Sequence, residues 1–519
     1  MKINKPGKAK SGLFRIVFSR TGFILLLILL QLGLFVVTTN ILQGYAFFIH
    51  GGLTVLGVVV LIYIINSEDN PAFKMTWMLC VMAFPAVATM FYIYVKTQAG
   101  TRWMGKRLAT LRIETDPYMI QDIDVLDALR ASRPSYGNLA SYMSHHVGFP
   151  VYRNTEVKYF PLGEDKFEAM VTELEKARKY IFMEYFIVER GYMWDTILKI
   201  LIKKVREGVE VRFLYDGTCA ISLLPYDYPQ MLERKGIRCK MSNPIKPFLS
   251  TVQNNRDHRK ICVIDGKVGF TGGVNLADEY INRKERFGHW KDTAVMLRGD
   301  AVQSLTMLFL QMWNVDEQES EDYRRYLTPR RRELRRELGY VLPYGDSPFD
   351  NENVGEEVYF HILNHAKKYV HIMTPYLILD NEMITTLTRA AKSDVEVIII
   401  MPHIPDKWYA FAVAKTYYGE LIRAGVQIYE YTPGFVHAKV FVSDDDTATV
   451  GSINLDYRSL YLHFENGVFI YNNSVVDRIE RDFQQTLAKC HKVTLLEVRS
   501  QSLFTKISGQ VLRLVAPLM

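Results

Sequence analysis

The stretch His258-Arg-Lys260-Ile-Cys-Val-Ile-Asp265, followed by Gly272-Gly-Val-Asn275, decides the fold because it occurs twice in the chain. The second copy is His437-Ala-Lys439-Val-Phe-Val-Ser-Asp444, followed by Gly451-Ser-Ile-Asn454. In both copies the Lys, Asp, Gly and Asn stand 2, 7, 14 and 17 residues after the His. A lone His-x-Lys is common, whereas four equal intervals in two places indicate a duplicated functional unit.

The duplication extends beyond this motif. Three further pairs of segments match at offsets of 189, 186 and 189 residues: Ala177 with Ala366, Gly208 with Asp394, and Arg234 with Arg423. Within each half, short apolar strands such as 180–188 and 209–215 alternate with amphipathic helical segments. This alternation predicts an α/β fold of two similar domains related by a pseudo-twofold axis, each a largely parallel or mixed sheet flanked by helices.

The charge of the chain is concentrated at its N-terminus. The 519 residues carry 63 Lys or Arg against 56 Asp or Glu, but residues 1–113 hold 12 of the bases and only two acids, Glu68 and Asp69. The rest of the chain therefore carries 51 bases against 54 acids, a net charge of −3. A nucleic-acid enzyme would carry its positive field on the folded domain, so we expect no nucleic-acid partner.

The N-terminal region is typical of a membrane anchor. Residues 21–67 contain no Asp, Glu, Lys or Arg. This uncharged stretch is long enough for two spans, at about 21–42 and 45–66. A third apolar run, about 75–95, contains Pro85. Three spans behind a basic tail, residues 1–20, predict a multi-pass protein of the cell membrane; a cleaved signal peptide is the alternative.

The orientation of these spans is contradictory. Basic residues both precede the first span and follow the third, at 96–112. The positive-inside tendency would place both flanks in the cytoplasm, which an odd number of spans cannot do. Either one apolar segment does not cross or one flank overrides the tendency, so the membrane face of the remaining chain stays open.

The chain after the anchor divides into four predicted parts. These are a connecting segment at 97–150, a first domain at 151–322, an Arg-rich linker at 323–350 and a second domain at 351–519. The linker holds seven arginines between 324 and 336, which suit a charged surface or attraction to anionic lipid. The C-terminal helix near 503–515 has one apolar face, which either packs on the core or lies on the membrane.

The repeated motif suits phosphoryl chemistry. Residues i and i+2 of a strand share a face, so each His projects with its Lys, and the turn that follows can return each Asn to them. One imidazole can attack phosphorus and the other can protonate the departing oxygen, while Lys and Asn hold the charged oxygens. The motif aspartates, Asp265 and Asp444, complete the candidate catalytic motif, but they stand beside turn residues, where a structural role is expected rather than a catalytic one.

A histidine that attacks phosphorus needs an acceptor on its other ring nitrogen. The candidates are Asp292, 34 residues after His258, and Glu465, 28 residues after His437. They lie in equivalent stretches of the repeat, His289-Trp-Lys-Asp292 and His463-Phe-Glu-Asn466. No metal site is predicted, since neither a carboxylate cluster nor Cys or His ligand spacing is present, and no cofactor is expected.

The paired motifs resemble the phospholipase D superfamily. Longer stretches, including 242–248, 255–275, 434–439 and the tail Ala516-Pro-Leu-Met, resemble bacterial cardiolipin synthases over roughly residues 60–519. The resemblance implies phospholipase D-type domains and a transfer of phosphatidyl from one phosphatidylglycerol to another, without a cofactor, at an anionic membrane. It implies His258 as nucleophile and His437 as general acid and then base, with the reverse assignment left open.

The resemblance also assigns the remaining candidates. Lys260, Lys439, Asn275 and Asn454 would bind the phosphate, and Asp292 and Glu465 would orient the histidines. Ser452 is a further phosphate-binding candidate, although the first copy has Gly273 at that position. The alternatives are a membrane-bound phospholipase D that hydrolyses lipids or exchanges another headgroup, and a membrane scaffold without activity. The oligomeric state is not indicated by the sequence.

Overall fold

A computed structural model of the protein describes residues 29–33, 36–38, 40–41, 43–244, 254–319, 321–328 and 339–518. These residues divide into two compact units, one within 1–99 and one within 100–517. The predicted basic tail, most of the first predicted span and residues 329–338 of the predicted linker lie outside the described residues.

Among its described residues, the N-terminal unit includes the apolar helices α1 (Ala46–Asn66), α2 (Pro71–Ala83) and α3 (Pro85–Lys96). The predicted span at 45–66 forms α1, which is the one helix among the described residues that is long and apolar enough to cross a membrane. The predicted span at 75–95 is wrong as a single helix. Pro85 lacks a backbone N–H and disfavours helical geometry at Phe84, so the run breaks into helices of 13 and 12 residues.

The first half of the larger unit is built on a seven-stranded mixed sheet. Its order is β1-β8-β6-β5-β2-β3-β4, with β2, β3 and β4 parallel and the other pairs antiparallel. The strands of this half are β1 (Thr155–Phe160), β2 (Tyr180–Tyr185), β3 (Glu210–Asp216), β4 (Arg238–Ser242), β5 (Lys260–Ile264), β6 (Val268–Gly272), β7 (His289–Lys291) and β8 (Ala294–Gly299).

The second half repeats this topology. Its eight-stranded sheet has the order β19-β13-β12-β10-β15-β16-β18-β9, which is the first order with one added edge strand. The strands are β9 (Tyr340–Asp346), β10 (Tyr369–Met373), β11 (Leu377–Ile378), β12 (Glu396–Pro402), β13 (Gln427–Tyr431), β14 (Gly434–Val436), β15 (Val440–Ser443), β16 (Thr447–Gly451), β17 (Leu455–Asp456), β18 (Glu465–Tyr471) and β19 (Cys490–Lys492). The two predicted mixed sheets of similar plan are therefore observed.

Helices cover both sheets. In the larger unit they are α4 (Ala99–Thr115), α5 (Ile123–Ser132), α6 (Pro134–Tyr142), α7 (Gly163–Glu175), α8 (Tyr192–Arg206), α9 (Cys219–Ser222), α10 (Tyr228–Glu233), α11 (Val302–Trp313), α12 (Val354–His365), α13 (Asn381–Lys392), α14 (Trp408–Arg423), α15 (Tyr457–Tyr461), α16 (Val475–Leu487), α17 (Leu495–Ser500) and α18 (Leu503–Leu514). Helix α11 is buried along almost its whole length.

The two halves are joined by backbone pairing. Strand β7 of the first half pairs in parallel with β14 of the second. Tyr152 forms two backbone hydrogen bonds with Val341. Side chains also cross, since the hydroxyl of Tyr159 and the ammonium of Lys291 both donate to Asp482, at 2.6 and 2.7 Å. The halves therefore form one folded unit rather than two independent domains.

Two predicted boundaries differ in the structure. Strand β9 lies inside the predicted linker at 323–350 but pairs along its length with β18, so the second sheet begins by Tyr340. The predicted connecting segment packs on the larger unit, where Arg107 donates to the carbonyls of Asn314 and Glu317 and Arg133 pairs with Asp446. The first segment supplies the strand that covers the edge of β18, and partly buried arginine contacts hold the second. Neither segment is therefore a free linker.

The motif aspartates hold backbone turns. Asp265 accepts from the amides of residues 178, 179 and 180, at 2.9, 2.7 and 3.0 Å. Asp444 accepts in the same way from residues 367, 368 and 369, at 2.7, 2.8 and 3.1 Å. Both have φ of +54°, as a tight hairpin requires. These contacts give both residues a structural role that fixes the strand carrying each His-x-Lys.

The C-terminal helix α18 packs on the core, which is one of the two alternatives that its sequence left open. Gly509 lets it pack closely on α14, since a Cβ there would lie 2.6 Å from the carbonyl of Ala412. On its outer side Leu503, Phe504 and Ile507 remain largely exposed. An exposed apolar face of this kind is typical of a surface that meets a partner or a membrane.

Candidate active site

The backbone brings the two motif histidines to one place. His258 lies just before β5 and His437 lies at the equivalent position before β15. The amide of His258 donates to the carbonyl of Phe464, at 2.9 Å, and the amide of His437 donates to the carbonyl of Lys291, at 2.7 Å. Each histidine is therefore held by the backbone of the opposite half.

The candidate orienting carboxylates also contact the histidine of the opposite half. Nδ1 of His258 lies 2.8 and 2.9 Å from the two oxygens of Glu465, and Nδ1 of His437 lies 2.7 Å from Asp292. Both carboxylates are completely buried. A donor bond from Nδ1–H fixes the tautomer and leaves Nε2 of each ring free for chemistry. The sequence identified these two residues, but the structure pairs each with the histidine of the other half.

Burial controls the charge of the histidines. The pKa of His258 is lowered well below its ordinary value by burial and then by the neighbouring Lys260. Burial and Lys439 also lower the pKa of His437, to about 4, but Asp292 opposes the shift. Both rings are therefore neutral near pH 7 in the free protein, and the negative charge of a bound phosphate would favour the protonated form that a general acid needs.

The motif lysines are buried beside their histidines. The ammonium of Lys260 donates to the carbonyl of His258, and that of Lys439 donates to the carbonyl of His437. Burial lowers the pKa of Lys260 to about 7 and that of Lys439 to about 8. An anion between them would restore the charged forms, because a nearby negative charge favours a cation.

The two candidate amides are not equivalent. Asn275 accepts from the amide of Ile187, at 3.0 Å, and donates to the hydroxyl of Tyr280, at 2.9 Å. The side-chain oxygen of Asn454 is buried and has no hydrogen-bond partner among the described residues. Asn454 therefore has an unused acceptor, and its amide N–H groups are the part that could donate to a phosphate, whereas most of the capacity of Asn275 is used in the fold.

The difference between Gly273 and Ser452 has a steric cause. A Cβ at Gly273 would lie 2.1 Å from Oδ1 of Asp292, so the short aspartate fits only against a glycine. In the second half the longer Glu465 leaves room for Ser452, whose hydroxyl donates to that carboxylate. The structure thus places Ser452 on Glu465 rather than in a position facing a phosphate, and its predicted phosphate contact has no support from this geometry.

The sequence missed two aromatic rings that flank the histidines. Trp290 and His463 each stand two residues before the carboxylate, in equivalent positions of the repeat. The ring centroid of Trp290 lies 5.4 Å from that of His437, and the centroid of His463 lies 5.6 Å from that of His258. Aligning the two halves on Asp292 and Glu465 would have revealed the pair.

One group of side chains has the composition of a metal site. Ligand atoms of His258, His463 and Glu465 lie within 4.8 Å of one another. The fit to a cation is poor, because Nδ1 of His258 and Glu465 already bond to each other and Lys260 and Lys439 add positive charge at the same histidine. Two ammonium groups and two imidazoles in one buried site suit an anion instead.

Comparison with known proteins gives the family. Residues 170–313 and 359–487 match the family described as "Cardiolipin synthase, PLD-like domain". The chain belongs to this cardiolipin synthase family of phospholipase D-like proteins. A cardiolipin synthase of Alkalihalophilus pseudofirmus is 33% identical over 90% of this chain and 92% of its own, and one of Halalkalibacterium halodurans is 31% identical over 96% and 100%.

Two further relatives add to this result. A Streptococcus mutans protein described as uncharacterized is 51% identical over 88% of this chain and 99% of its own. The crystal structure of phosphatidylserine synthase from Haemophilus influenzae aligns with a TM-score of 0.57 at 13% identity, covering 75% of this chain and all of that one. The likeness to that structure shows a shared fold. As a member of the cardiolipin synthase family, the protein is a phosphatidyltransferase that acts on phospholipids.

We expect Gly273→Ser, which copies the second half into the first, to reduce kcat by about 10²-fold or more. The new side chain would displace Asp292 and misalign His437, and misplacements of about 1 Å have effects of this size. Steady-state assays with phospholipid in detergent micelles would measure the loss. Gly105→Ala is the control, because its Cβ would meet nothing closer than 3.7 Å. Unchanged kcat in Gly273→Ser would contradict this steric account.

We expect kcat/KM to fall as the pH rises above about 7. The pKa of Lys260 is about 7 in the free protein, so the charged form that attracts phosphate is lost above that pH, by up to about tenfold per unit. The guanidinium in Lys260→Arg stays charged. The fall in kcat/KM should therefore move to higher pH, where Lys439 still titrates. The exposed Lys176→Arg should keep the wild-type profile. A profile that Lys260→Arg leaves unmoved would contradict the assignment.

Proposed function

We propose that the protein is a cardiolipin synthase that transfers a phosphatidyl group from one phosphatidylglycerol to another, giving cardiolipin and glycerol. The observation that carries this proposal is the pair of buried imidazoles, each backed by a carboxylate of the opposite half. Membership of the cardiolipin synthase family supports the choice of products, and the two cardiolipin synthases named above are similar over 90% or more of the chain.

The first step forms a phosphatidyl-histidine. Nε2 of His258 attacks phosphorus, and the bond from phosphorus to the glycerol oxygen breaks. Protonated His437 gives its proton to that oxygen, so glycerol leaves as a neutral alcohol. Glu465 and Asp292 stabilise the positive charge on the two rings as it develops.

The second step reverses the proton transfer. His437 removes the proton from the terminal hydroxyl of a second phosphatidylglycerol, and the oxygen attacks phosphorus. The bond to His258 breaks, which releases cardiolipin and returns both histidines to their first states. Lys260, Lys439 and Asn454 hold the phosphoryl oxygens through both steps, and Asn275 supports this arrangement through Tyr280.

The environment of the two rings favours His258 as the nucleophile. A nucleophile must be neutral and a general acid must carry a proton. Burial and the neighbouring cations lower the pKa of His258 well below its ordinary value, which keeps that ring neutral, as a nucleophile requires. Asp292 opposes the lowering of the pKa of His437, which suits the acid and base role.

The membrane supplies both substrates. Helix α1 is apolar and long enough to anchor the protein, and the predicted segment at 21–42 would add a second crossing. The exposed apolar side of α18 would rest on the lipid surface. Anchoring keeps the protein where phosphatidylglycerol is concentrated, and a buried cleft would favour an alcohol over water as acceptor.

Purified protein given phosphatidylglycerol alone should produce cardiolipin and glycerol in equal amounts. Thin-layer chromatography and a glycerol assay would measure both products, and His258→Ala should abolish them. Phosphatidic acid without cardiolipin would instead indicate a hydrolase, and exchange only with an added alcohol would indicate another headgroup specificity. A His258→Ala protein that still made cardiolipin would refute the mechanism, and an inactive wild type would favour a scaffold.

A further inference from the structure

The run from Pro71 to Lys96 folds back on itself. The ring of Trp77 in α2 lies 5.2 Å from that of Tyr92 and 5.9 Å from that of Phe91 in α3. Residues 15 apart in one continuous helix would be separated by about 22 Å. Helices α2 and α3 are therefore an antiparallel hairpin with its turn at Phe84 and Pro85.

The charged residues of this hairpin lie at its open end. Lys96, at the end of α3, forms an ion pair with Asp69, just before α2, at 2.6 Å. The ammonium of Lys74 reaches the carbonyl of Ile65, at 3.2 Å. Between Met75 and Val95 there is no Asp, Glu, Lys or Arg. One end of the hairpin suits the headgroup region, and the rest suits hydrocarbon.

Both backbone polar groups of Phe84, at the closed end, are paired. The amide of Phe84 donates to the carbonyl of Cys80, its own carbonyl accepts from Ala88, both at 2.9 Å, and Pro85 has no amide hydrogen. Unpaired backbone groups are what normally keep a turn out of hydrocarbon. The outer side chains Met75, Met82 and Met90 are exposed and apolar.

The length of the hairpin suits half a bilayer. Helices of 13 and 12 residues extend about 18 to 20 Å, whereas the hydrocarbon core is about 30 Å thick. The inner sides of the hairpin pack on α1, where Val60 and Ile64 meet Val81, Ala88 and Tyr92. The hairpin therefore leans on the spanning helix but is too short to span.

We propose that residues 71–96 form a re-entrant hairpin that dips into one leaflet of the bilayer and returns to the face it entered. Asp69 and Lys96 then lie on the same face. The two crossings that the sequence predicts, at 21–42 and 45–66, would then leave the basic tail and the basic stretch at 96–112 on that same face. The contradiction between the charged flanks disappears, because the number of crossings becomes even.

Cysteine labelling of the full chain in sealed vesicles tests the hairpin. In a background with the five native cysteines replaced, Ser67→Cys and Thr97→Cys should react with a membrane-impermeant maleimide from the same face. Gly44→Cys, between the two crossings, should react from the opposite face, and Phe84→Cys from neither. Glu68→Cys with Gln98→Cys gives a second pair if the first is poorly produced, and retained activity shows that each variant folds.

A different labelling pattern would overturn the re-entrant hairpin. A segment that crossed the bilayer would place Ser67→Cys and Thr97→Cys on opposite faces. Labelling of Phe84→Cys from the face that labels Gly44→Cys would likewise overturn the proposal. Neither outcome depends on which lipid reaction the larger unit catalyses.

A second observation concerns His463. Its side chain is 10% exposed, and neither ring nitrogen has a hydrogen-bond partner among the described residues. The nearest oxygen of Glu465 lies 3.8 Å away. Burial and nearby cations, first Arg458 and then Lys260, lower its pKa well below the ordinary value, so the ring is neutral and has one donor and one acceptor. A buried polar ring without hydrogen-bond partners destabilises the fold, and a bound ligand can offset this cost.

The geometry points to His463 as a further phosphate-binding residue, which donates to a non-bridging oxygen of the phosphoryl group on His258. This inference rests on the function proposed above. The equivalent Trp290 packs on His437, so the two half-sites differ at this position. His463→Phe should lower kcat/KM by about 10 to 100-fold, and His463→Asn, which keeps a donor, should recover most of the loss.

Inhibition by vanadate separates a ligand contact from a structural one. The vanadate inhibition constant should rise about tenfold or more in His463→Phe and stay near wild type in His463→Asn and in the exposed control His491→Phe. An unchanged constant in His463→Phe would overturn this inference alone. Wild-type protein that vanadate does not inhibit would instead count against phosphate chemistry at this site, and so against the proposed function.

Discussion

Two imidazole–carboxylate pairs cross between the halves of the larger unit, and the site depends on them. Glu465 of the second half holds His258 of the first, and Asp292 of the first half holds His437 of the second. The backbone repeats the exchange, since each histidine amide donates to a carbonyl of the opposite half. Neither half can orient its own histidine, which gives a physical reason for the extensive pairing that fuses them.

The two half-sites share a scaffold but differ in side chains at equivalent positions. Asp292 and Glu465 differ in length, and Gly273 and Ser452 differ to accommodate them. Trp290 and His463 differ in the ring that they place against each histidine. A symmetric site would give both histidines the same proton affinity. The proposed transfer, with one nucleophile and one acid, requires the two histidines to differ, and these side chains give them unequal surroundings.

The sequence predicted the duplicated fold and the principal side chains because equal intervals in two copies identify equivalent positions. It could not predict the pairing of His258 with Glu465, since spacing along the chain says nothing about which half folds against which. The sequence also could not predict that the side chain of Asn275 is hydrogen-bonded within the fold, because its partners, the amide of Ile187 and the hydroxyl of Tyr280, come from other segments. Composition identified the apolar run at 75–95, but the turn at Pro85 depends on packing against α1.

The central claim is that His258, held by Glu465, is the residue that takes the phosphatidyl group. The most direct measurement is rapid acid-free quenching of the protein with phosphatidylglycerol, followed by proteolysis and mass spectrometry of the peptides that contain each histidine. A phosphatidyl adduct on His258 is expected in the wild-type protein, and it should form more slowly in His437→Asn because the departing glycerol oxygen is no longer protonated. An adduct on His437 instead, or none in either protein under turnover, would contradict the central claim.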